Sequence, residues 1–387
     1  MVITRNSNKK SAAVIGAACA TMLALSSPAA HADTAEADHP ATLAALKAYQ
    51  AKAGPGAAIH AGAGGGSWTL SAGTGTINID RPIRSDEHFR IGSQTKSFTA
   101  VVVLQLAEAG RLSLDAPIED YLPGVVTGNG YDGTRITVRQ LLQHTSGIAA
   151  YNPYPEVNTP QPNPDGTFSL TALVQDGLSS SPPVAEPGAG FTYSNTNYYI
   201  LGMLIEELTG QPVHQAVTER VIEPLGLPHT VFPAPGERAL PAPAVNGYHG
   251  ARVGPIYLWT PVTSYDPSLY SSVGGMVSTL EDLAAFYQAL AAGDLLSPAS
   301  LSEMRTVRDV STGSAYGLGI QRRDLSCGGT AWGHPGAVPG YESYTLTTDD
   351  GRHASLVTNV AFGIGRPSAE AVELMDTALC ENAPRRS

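Results

Sequence analysis

The order of periodicities along this chain restricts its fold more than any other feature: strand-like segments stand near both ends, and helix-like segments fill the region between them. Near the start, short apolar runs at 57–60 and 67–71 flank a glycine cluster. Near the end, residues 316–325, 342–348 and 353–360 alternate apolar and polar side chains, as half-buried strands do. The sequence therefore predicts a sheet domain assembled from both ends of the chain.

The middle of the chain carries helical patterns with recognisable ends. Two of them begin with capping-box pairs, Thr137 with Gln140 and Ser278 with Glu281, and glycine stops another at Gly210. The predicted helices cover residues 95–109, 137–144, 197–208, 213–225, 278–292 and 367–379. We therefore expect a helical domain inserted into the sheet domain.

Two domains follow from this order of segments. The sheet domain comprises residues 33–103 and 280–387, and the helical domain comprises residues 104–279. Residues 151–167 contain five prolines and no periodicity, which favours a long structured loop or a lid.

The first 32 residues have the layout of a secretory signal peptide. Three basic side chains within residues 5–10 precede an apolar run at 12–25, and small residues at 30–32 supply a cleavage site after Ala32. The apolar run is too short to span a bilayer permanently. We therefore expect a secreted chain without a membrane anchor; Cys19 within the run leaves a lipoprotein as the less favoured alternative.

Charge excludes one class of partner. The formal net charge is −11, and it becomes −14 without the three basic residues of the predicted signal peptide. Nucleic-acid binding needs a basic surface, so nucleic acid is not expected as a partner. The 42% hydrophobic and 15% charged content also excludes a mainly disordered chain.

Cys327 and Cys380 are the two cysteines that remain beyond the predicted signal peptide. An oxidising compartment favours a disulfide between them. A catalytic thiol or a metal site is the alternative, and no histidine stands at ligand spacing from either cysteine. We expect no metal and no cofactor.

Ser93 and Lys96 are the strongest candidates for chemistry. They stand three residues apart at a strand-to-helix junction, so one helical turn can bring the amine beside the hydroxyl. A lysine that loses its proton can activate a serine nucleophile, and the free N–H groups of a helix start can bind an oxyanion. Lys96 is also the only lysine after Lys52, and arginine could not replace it because arginine stays charged.

Two further short patterns and one alternative accompany this pair. Tyr193 and Asn195 precede a predicted helix, and His334 and Gly336 lie between predicted strands. Each also has a structural interpretation: Tyr193 as a buried aromatic residue, Asn195 as a helix cap, and the glycine-rich segment at His334 as a turn. A histidine-dependent serine triad stays possible, although no serine has glycine at both −2 and +2 as in a nucleophile elbow.

In this order, Ser-x-x-Lys, Tyr-x-Asn and His-x-Gly resemble the penicillin-recognising serine hydrolases, in the branch of class C β-lactamases and secreted D-alanyl-D-alanine carboxypeptidases. The likeness covers nearly the whole chain after the signal peptide, and it is clearest at 89–98, 136–140, 193–197, 202–206 and 322–327. It implies an α+β fold: an antiparallel sheet flanked by helices, plus an all-helical inserted domain. Cys380 also falls where that subgroup has its second disulfide cysteine.

The resemblance implies a role for each matching residue. Ser93 is the acylated nucleophile, Lys96 its proton partner, and Tyr193 the base that passes a proton to the leaving amine. His334 occupies the third-motif place, which other branches fill with lysine. The N–H groups of Ser93 and Ala337 form the oxyanion hole. The residues assigned to substrate and oxyanion binding are Asn195, Gly336, Ala337 and Gln321.

The sequence departs from the carboxypeptidases where they bind the free carboxylate of the substrate. Pro335 and Ala337 replace the third-motif hydroxyl residues, and neither side chain can donate a hydrogen bond. Gln321 stands where the subgroup has arginine, and Arg322 cannot replace it because neighbouring strand residues point to opposite faces. Recognition of a free C-terminal D-alanine is therefore in doubt.

The leading hypothesis is an exported serine hydrolase, D-alanyl-D-alanine carboxypeptidase-like, that forms an acyl-enzyme with D-amino-acid peptides. A D-stereospecific amidase, endopeptidase or esterase with an altered leaving-group pocket is the first alternative. A β-lactamase and a non-catalytic penicillin or peptidoglycan sensor are the others. The expected partners are D-amino-acid peptides or esters, with β-lactams as acylating ligands, and the chain is expected to be a monomer.

Overall fold

The computed structural model describes residues 35–154, 159–253, 256–262, 264–361 and 368–381. The predicted signal peptide therefore lies outside the described residues, as do the first residue of the predicted helix 367–379 and the end of the sheet domain beyond Glu381. No helix among the described residues is both long enough and apolar enough to cross a bilayer.

One antiparallel sheet of eight strands dominates the structure, and both ends of the chain contribute to it. The strands of the described chain are β1 (Gly56–Ala63), β2 (Gly66–Gly73), β3 (Phe89–Arg90), β4 (Thr127–Gly128), β5 (Tyr131–Asp132), β6 (Tyr248–Val253), β7 (Ile256–Pro261), β8 (Val277–Ser278), β9 (Arg308–Ser311), β10 (Ser314–Tyr316), β11 (Gln321–Asp324), β12 (Thr330–Val338), β13 (Tyr341–Thr348) and β14 (His353–Thr358). The order in the main sheet is β2-β1-β14-β13-β12-β11-β10-β9. Ala57 of β1 pairs with Thr358 of β14, which joins the two ends and confirms the predicted antiparallel sheet.

Helices pack on this sheet and fill most of the middle of the chain. They are α1 (Pro40–Ala53), α2 (Thr95–Glu108), α3 (Val138–Leu142), α4 (Leu170–Ser180), α5 (Asn195–Thr209), α6 (Val213–Val217), α7 (Glu223–Leu225), α8 (Ser271–Gly274), α9 (Leu280–Ala292), α10 (Pro298–Met304) and α11 (Ser368–Cys380). A π-helical turn at Thr218–Ile222 joins α6 to α7, so the predicted helix 213–225 is continuous. The inserted region is not entirely helical, because β4 pairs with β5 and β6 with β7.

Among the predicted helix ends that differ from the structure are those of α3 and α9. The capping box of Thr137 and Gln140 is present, but α3 ends at Leu142 rather than at His144. The cap of α9 is Thr279 and not Ser278: the Thr279 side chain accepts a hydrogen bond from the backbone N–H of Asp282. The error is one residue, since serine and threonine cap helices by the same bond.

The predicted strand 316–325 is wrong in its middle, because it consists of β10 and β11 with a turn between them. The N–H of Gly317 donates to the carbonyl of Ile320, which closes the turn. A Cβ at Gly319, whose φ is +80°, would stand 2.4 Å from the Cβ of Ala100, so the turn packs directly on α2. Similarly, His334 does not lie in a turn between strands but within β12.

Two buried helices fix the position of the candidate site. Helix α2 is buried on all sides over most of its length, and Phe98 stacks on Phe286 of α9 with ring centroids 3.6 Å apart. The first two-thirds of α5 are buried as well, and Tyr198 donates from its hydroxyl to the carbonyl of Leu142. The N-termini of α2 and α5 carry the Ser-x-x-Lys and Tyr-x-Asn motifs, so a rigid core holds both.

The predicted disulfide between Cys327 and Cys380 is present, with Cα atoms 5.6 Å apart. It ties the segment after β11 to the last helix, α11. Among the described residues, no group of three or more histidine, cysteine or acidic side chains is arranged to hold a metal ion.

Candidate active site

The nucleophile turn connects β3 to α2 and lies against the backbone of β12. Gly92 opens this turn with φ +56°, a conformation that costs glycine little. A Cβ at Gly92 would stand 2.6 Å from the backbone nitrogen of Ala337, so only glycine permits this close approach. This close approach brings Ser93, just before α2, beside Ala337. The backbone N–H groups of Ser93 and Ala337 are the predicted oxyanion donors.

Lys96, the second residue of α2, is completely buried, and its Nζ is 3.1 Å from Ser93 Oγ. The amine also donates to the carbonyl oxygen of Val273 at 2.8 Å. Neither of these partners carries a charge. Burial lowers the pKa of Lys96 well below its usual 10.5, which favours the neutral amine. A neutral amine has a lone pair free to take the Ser93 proton.

The ring of Tyr193 lies beside the Lys96 amine. Lys96 Nζ lies 5.1 Å from the centroid of the Tyr193 ring, and the Tyr193 hydroxyl has no hydrogen-bond partner of ordinary geometry within the described residues. Burial raises the pKa of Tyr193, and the neighbouring Ser93 hydroxyl offsets part of that rise. The phenol is therefore protonated in the resting site.

His334 is held by both ring nitrogens. Nδ1 lies 2.5 Å from the carbonyl oxygen of Pro335, and because a carbonyl only accepts, Nδ1 carries the proton. Nε2 therefore accepts from the Tyr316 hydroxyl at 2.8 Å. Burial, with a smaller contribution from Lys96, lowers the pKa of His334 to about 3. His334 is a neutral ring whose two nitrogens are already engaged.

Asn195 is not the helix cap that one interpretation of the sequence suggested, since Ser194 occupies that position. The Asn195 side-chain N–H donates to Oδ1 of Asn152 at 3.0 Å. Its own Oδ1 has no hydrogen-bond partner among the described residues. The side chain lines the candidate cavity, so it offers an acceptor to a bound amide N–H.

Gln321 lines the same cavity, and both the oxygen and the nitrogen of its amide form hydrogen bonds. The Tyr344 hydroxyl donates to Gln321 Oε1, and Gln321 Nε2 donates to Ser314 Oγ, both at 3.0 Å. Arg323, two residues further along the strand, donates to the Tyr344 hydroxyl at 3.0 Å. Arg322 instead forms an ion pair with Asp324 at 3.4 Å, as expected for a side chain on the opposite face. No arginine reaches the cavity within the described residues.

A cavity of about 430 Å³ brings the predicted residues together. Its walls include Ser93, Tyr193, Asn195, Gln321, His334, Gly336 and Ala337, with Lys96 buried behind Ser93. No described side chain that lines it is charged. A larger cavity of about 670 Å³ lies around Phe168 and Met203, but it contains none of the predicted site residues. The smaller cavity is therefore the candidate active site.

The family model described as Beta-lactamase matches residues 42–374. This chain belongs to the beta-lactamase family.

Two solved structures resemble this family member over most of their length. A D-stereospecific amidohydrolase from Streptomyces sp. is 38% identical, with a TM-score of 0.78 over 89% of this chain and 100% of the other. D-amino acid amidase from Ochrobactrum anthropi SV3, complexed with D-phenylalanine, is 25% identical, with a TM-score of 0.75 over 88% and 97%.

Penicillin-binding protein 4 from Amycolatopsis lactamdurans is 29% identical over 330 residues, which cover 79% of this chain and 81% of the relative. The family and the fold identify the chain as a serine hydrolase of the β-lactamase fold.

Several residues of this serine hydrolase's site were missed by sequence reasoning, and His144 is the most connected of them. His144 Nδ1 accepts from the N–H of Ser194 at 3.3 Å and from Asn197 Nδ2 at 3.0 Å. Its carbonyl accepts from Thr192, and its ring centroid lies 4.2 Å from that of Tyr193. His144 therefore holds the turn on which Tyr193 stands, although its φ is +57°, unusual outside glycine.

Tyr316 and Asn152 were also missed. They orient His334 and Asn195 by the single hydrogen bonds described above. Neither residue belongs to a spaced motif, so the sequence offers no local signal for them.

Proposed function

We propose that this serine hydrolase cleaves amides of D-configured amino acids through an acyl-enzyme on Ser93. The observation that carries the proposal is the leaving-group side of the cavity, where Gln321 has both amide atoms engaged and no described cation is present. A carboxypeptidase needs a charged donor there for the substrate carboxylate, whereas an amide or an ester needs none. The likeness to the D-stereospecific amidohydrolase from Streptomyces sp. supports the same substrate class.

In the proposed acylation, Ser93 Oγ attacks the substrate carbonyl carbon and its proton passes to Lys96 Nζ, 3.1 Å away. The N–H groups of Ser93 and Ala337 bind the developing oxyanion. Tyr193 donates its hydroxyl proton to the leaving nitrogen as the C–N bond breaks, and Lys96 returns a proton to Tyr193. The amine leaves neutral, and the acyl group stays on Ser93 as an ester.

Deacylation reverses these proton transfers with water as the nucleophile. Water loses a proton to the Tyr193 and Lys96 pair while its oxygen attacks the ester carbonyl. The ester C–O bond breaks, and Ser93 Oγ recovers a proton. The product is the free D-amino acid or the shortened peptide.

Recognition of the acyl part falls to Asn195 and to apolar walls. Asn195 Oδ1 is free to accept a hydrogen bond from the N–H of the substrate. Phe191, Val310 and Tyr316 line the cavity and suit an apolar D side chain. We therefore propose that D-aromatic and D-aliphatic amides are the preferred substrates.

A hydrolysis panel that crosses D and L residues with amide, ester and free-acid ends tests the proposal. We expect the D-amide and D-ester to be cleaved and the D-free-acid dipeptide to be cleaved at least about tenfold less efficiently. A preference for the free acid would support the carboxypeptidase alternative instead. Hydrolysis of β-lactams in preference to every amide would support a β-lactamase.

Intact-mass measurement after addition of benzylpenicillin identifies the nucleophile. We expect an adduct on the wild-type chain and none on Ser93→Ala. Wild type that shows neither an adduct nor turnover would support a non-catalytic sensor.

We also propose that the chain is exported and cleaved after Ala32. The disulfide between Cys327 and Cys380 supports this, because such bonds persist in oxidising compartments. N-terminal sequencing of the protein from the culture medium tests the proposal, with Asp33 expected as the first residue. A protein retained in the cytoplasm with its first 32 residues would contradict it.

A further inference from the structure

Gln94, between the nucleophile and Lys96, is completely buried and only partly satisfied. Its Nε2 donates to Ser343 Oγ at 2.7 Å, and Ser343 Oγ donates to the carbonyl oxygen of Ile91 at 3.1 Å. Gln94 Oε1 has no hydrogen-bond partner in the described part of the chain. A buried amide oxygen without a partner is unfavourable, and an apolar side chain of similar length would avoid that cost. Stability alone therefore does not account for a glutamine at this position.

The hydrogen bonds of Gln94 reach β13, the strand paired with β12, and β12 carries the second predicted oxyanion donor. Ser343 of β13 is paired with Gly336 of β12. A Cβ at Gly336 would stand 1.9 Å from the Ile91 carbonyl oxygen and 2.7 Å from Ser343 Oγ. The backbone of Gly336, just before Ala337, is therefore in close contact with Ser343 Oγ and the Ile91 carbonyl oxygen. These two atoms are the ones that the hydrogen bonds from Gln94 link.

The same turn also contacts Ala337 directly, at Gly92, as described above. The first oxyanion donor, the N–H of Ser93, lies between Gly92 and Gln94. A shift of the turn along β12 would change the distance between the Ser93 and Ala337 N–H groups. The side-chain bonds from Gln94 through Ser343 to Ile91 oppose such a shift.

We propose that Gln94 is a positioning residue of the oxyanion hole and that it fixes the separation of the Ser93 and Ala337 N–H groups through Ser343. The inference rests on the proposed acyl transfer at Ser93. Oxyanion donors act on charge that develops in the transition state, so their misplacement slows the chemical step more than it weakens substrate binding.

Gln94→Met tests the inference, because methionine keeps the length of the side chain and removes its polar atoms. We expect kcat for a D-amino-acid amide to fall about tenfold or more, with KM within about twofold, since loss of a whole donor costs about 100- to 1,000-fold. The affinity for a boronic-acid transition-state analogue should fall by the same factor. The melting temperature should be unchanged or higher, which a purely structural glutamine would not give.

Ser343→Ala provides a second route to the same result. It breaks the same chain of bonds, so kcat should fall similarly, and the double variant should be little slower than either single variant. Thr358→Val is the matched control: it removes a buried hydrogen bond of the same sheet, from Thr358 Oγ1 to the Gly56 carbonyl, and neither residue lines the cavity. It should lower the melting temperature and leave kcat unchanged.

The outcomes separate the inference from the function on which it rests. If wild type is acylated at Ser93 but both Gln94→Met and Ser343→Ala keep the wild-type kcat, the positioning role is wrong and the proposed function stands. A change in KM alone would equally overturn the positioning role. If wild type forms no acyl adduct and hydrolyses no amide, the proposed function itself is wrong.

Discussion

Replacing Gln321 by arginine should shift the substrate preference of this hydrolase from amides toward free acids. Gln321 lines the cavity on the side to which we assign the leaving group, and its amide is engaged by Tyr344 and Ser314. Arginine at this position would add a permanent charge and up to five N–H donors. A substrate with a free terminal carboxylate would then gain the partner that the wild-type cavity lacks.

The size of the shift follows from the strength of a charge-assisted hydrogen bond. Such a bond contributes about 1.5–3 kcal/mol, which corresponds to roughly a 10- to 150-fold change in kcat/KM. Loss of the two neutral hydrogen bonds of Gln321 costs about 1 kcal/mol each and affects the free energy of unfolding. That loss should lower the melting temperature without favouring either substrate.

The assay is the ratio of kcat/KM for an N-acylated D-Ala-D-Ala peptide to that for its C-terminal amide. We expect Gln321→Arg to raise this acid-to-amide ratio by the factor above. Gln321→Met controls for loss of the neutral hydrogen bonds and should leave the ratio unchanged. Arg322→Gln controls for arginine on the opposite face, where Arg322 pairs with Asp324. A folded, active Gln321→Arg variant whose ratio stays within twofold of wild type would refute the reasoning.

Three further predictions concern the buried bases and the disulfide. His144→Leu should lower kcat at least about tenfold, because two buried N–H groups lose their acceptor. His144→Asn keeps an acceptor and tolerates a positive φ, so it should retain most of the activity. Measurements of kcat and of melting curves test both variants. Lys96→Met should abolish acylation. The pKa of Lys96 is lower in the folded state than the usual 10.5, so the unfolded wild type binds more protons than the folded protein below pH 10.5. The free energy of unfolding of the wild type, measured in urea, should therefore rise relative to that of Lys96→Met as the pH increases toward 10.5. Reduction of the disulfide between Cys327 and Cys380, 53 residues apart, should lower the free energy of unfolding by about 4 kcal/mol in the chain-entropy model; a urea midpoint unaffected by reductant would contradict this.

The parts of the fold that the sequence predicted are those with a local signal. Alternation identified β13 and β14, and the apolar run after Thr95 identified α2. The capping box at Thr137 was correct because it depends on residues three apart. The errors arose where tertiary packing decides. Gly317 and Gly319 interrupt an alternating segment because the turn must fit against α10 and α2.

The glycines of β12 led to the opposite error, because they favoured a turn where the structure has a strand. Gly333 and Gly336 allow neighbouring backbone to approach closely: a Cβ at Gly333 would stand 1.8 Å from the carbonyl oxygen of Thr345. A sequence cannot distinguish such a glycine from one that makes a turn. The structural interpretation of His334 as part of a turn was therefore wrong, while its place beside Ser93 in the cavity agrees with the resemblance.

The residues of the candidate site also fall into two groups, those with a local sequence signal and those without one. Ser93 and Lys96 could be predicted because they stand three residues apart in the sequence, the spacing that one helical turn brings together. Asn152 acts on Asn195 from 43 residues away, and Gln94 contacts Ser343 from 249 residues away. Such pairs become visible only when the fold brings distant segments together.

The missing arginine and the buried lysine favour the same substrates. Burial lowers the pKa values of Lys96, His144 and His334, so the site favours a neutral state. A substrate carboxylate bound without a nearby arginine would raise the pKa of Lys96, because opposite charges stabilise each other. A protonated Lys96 has no lone pair with which to accept the Ser93 proton. An amide or ester end leaves the amine neutral, and the base that starts the reaction is preserved.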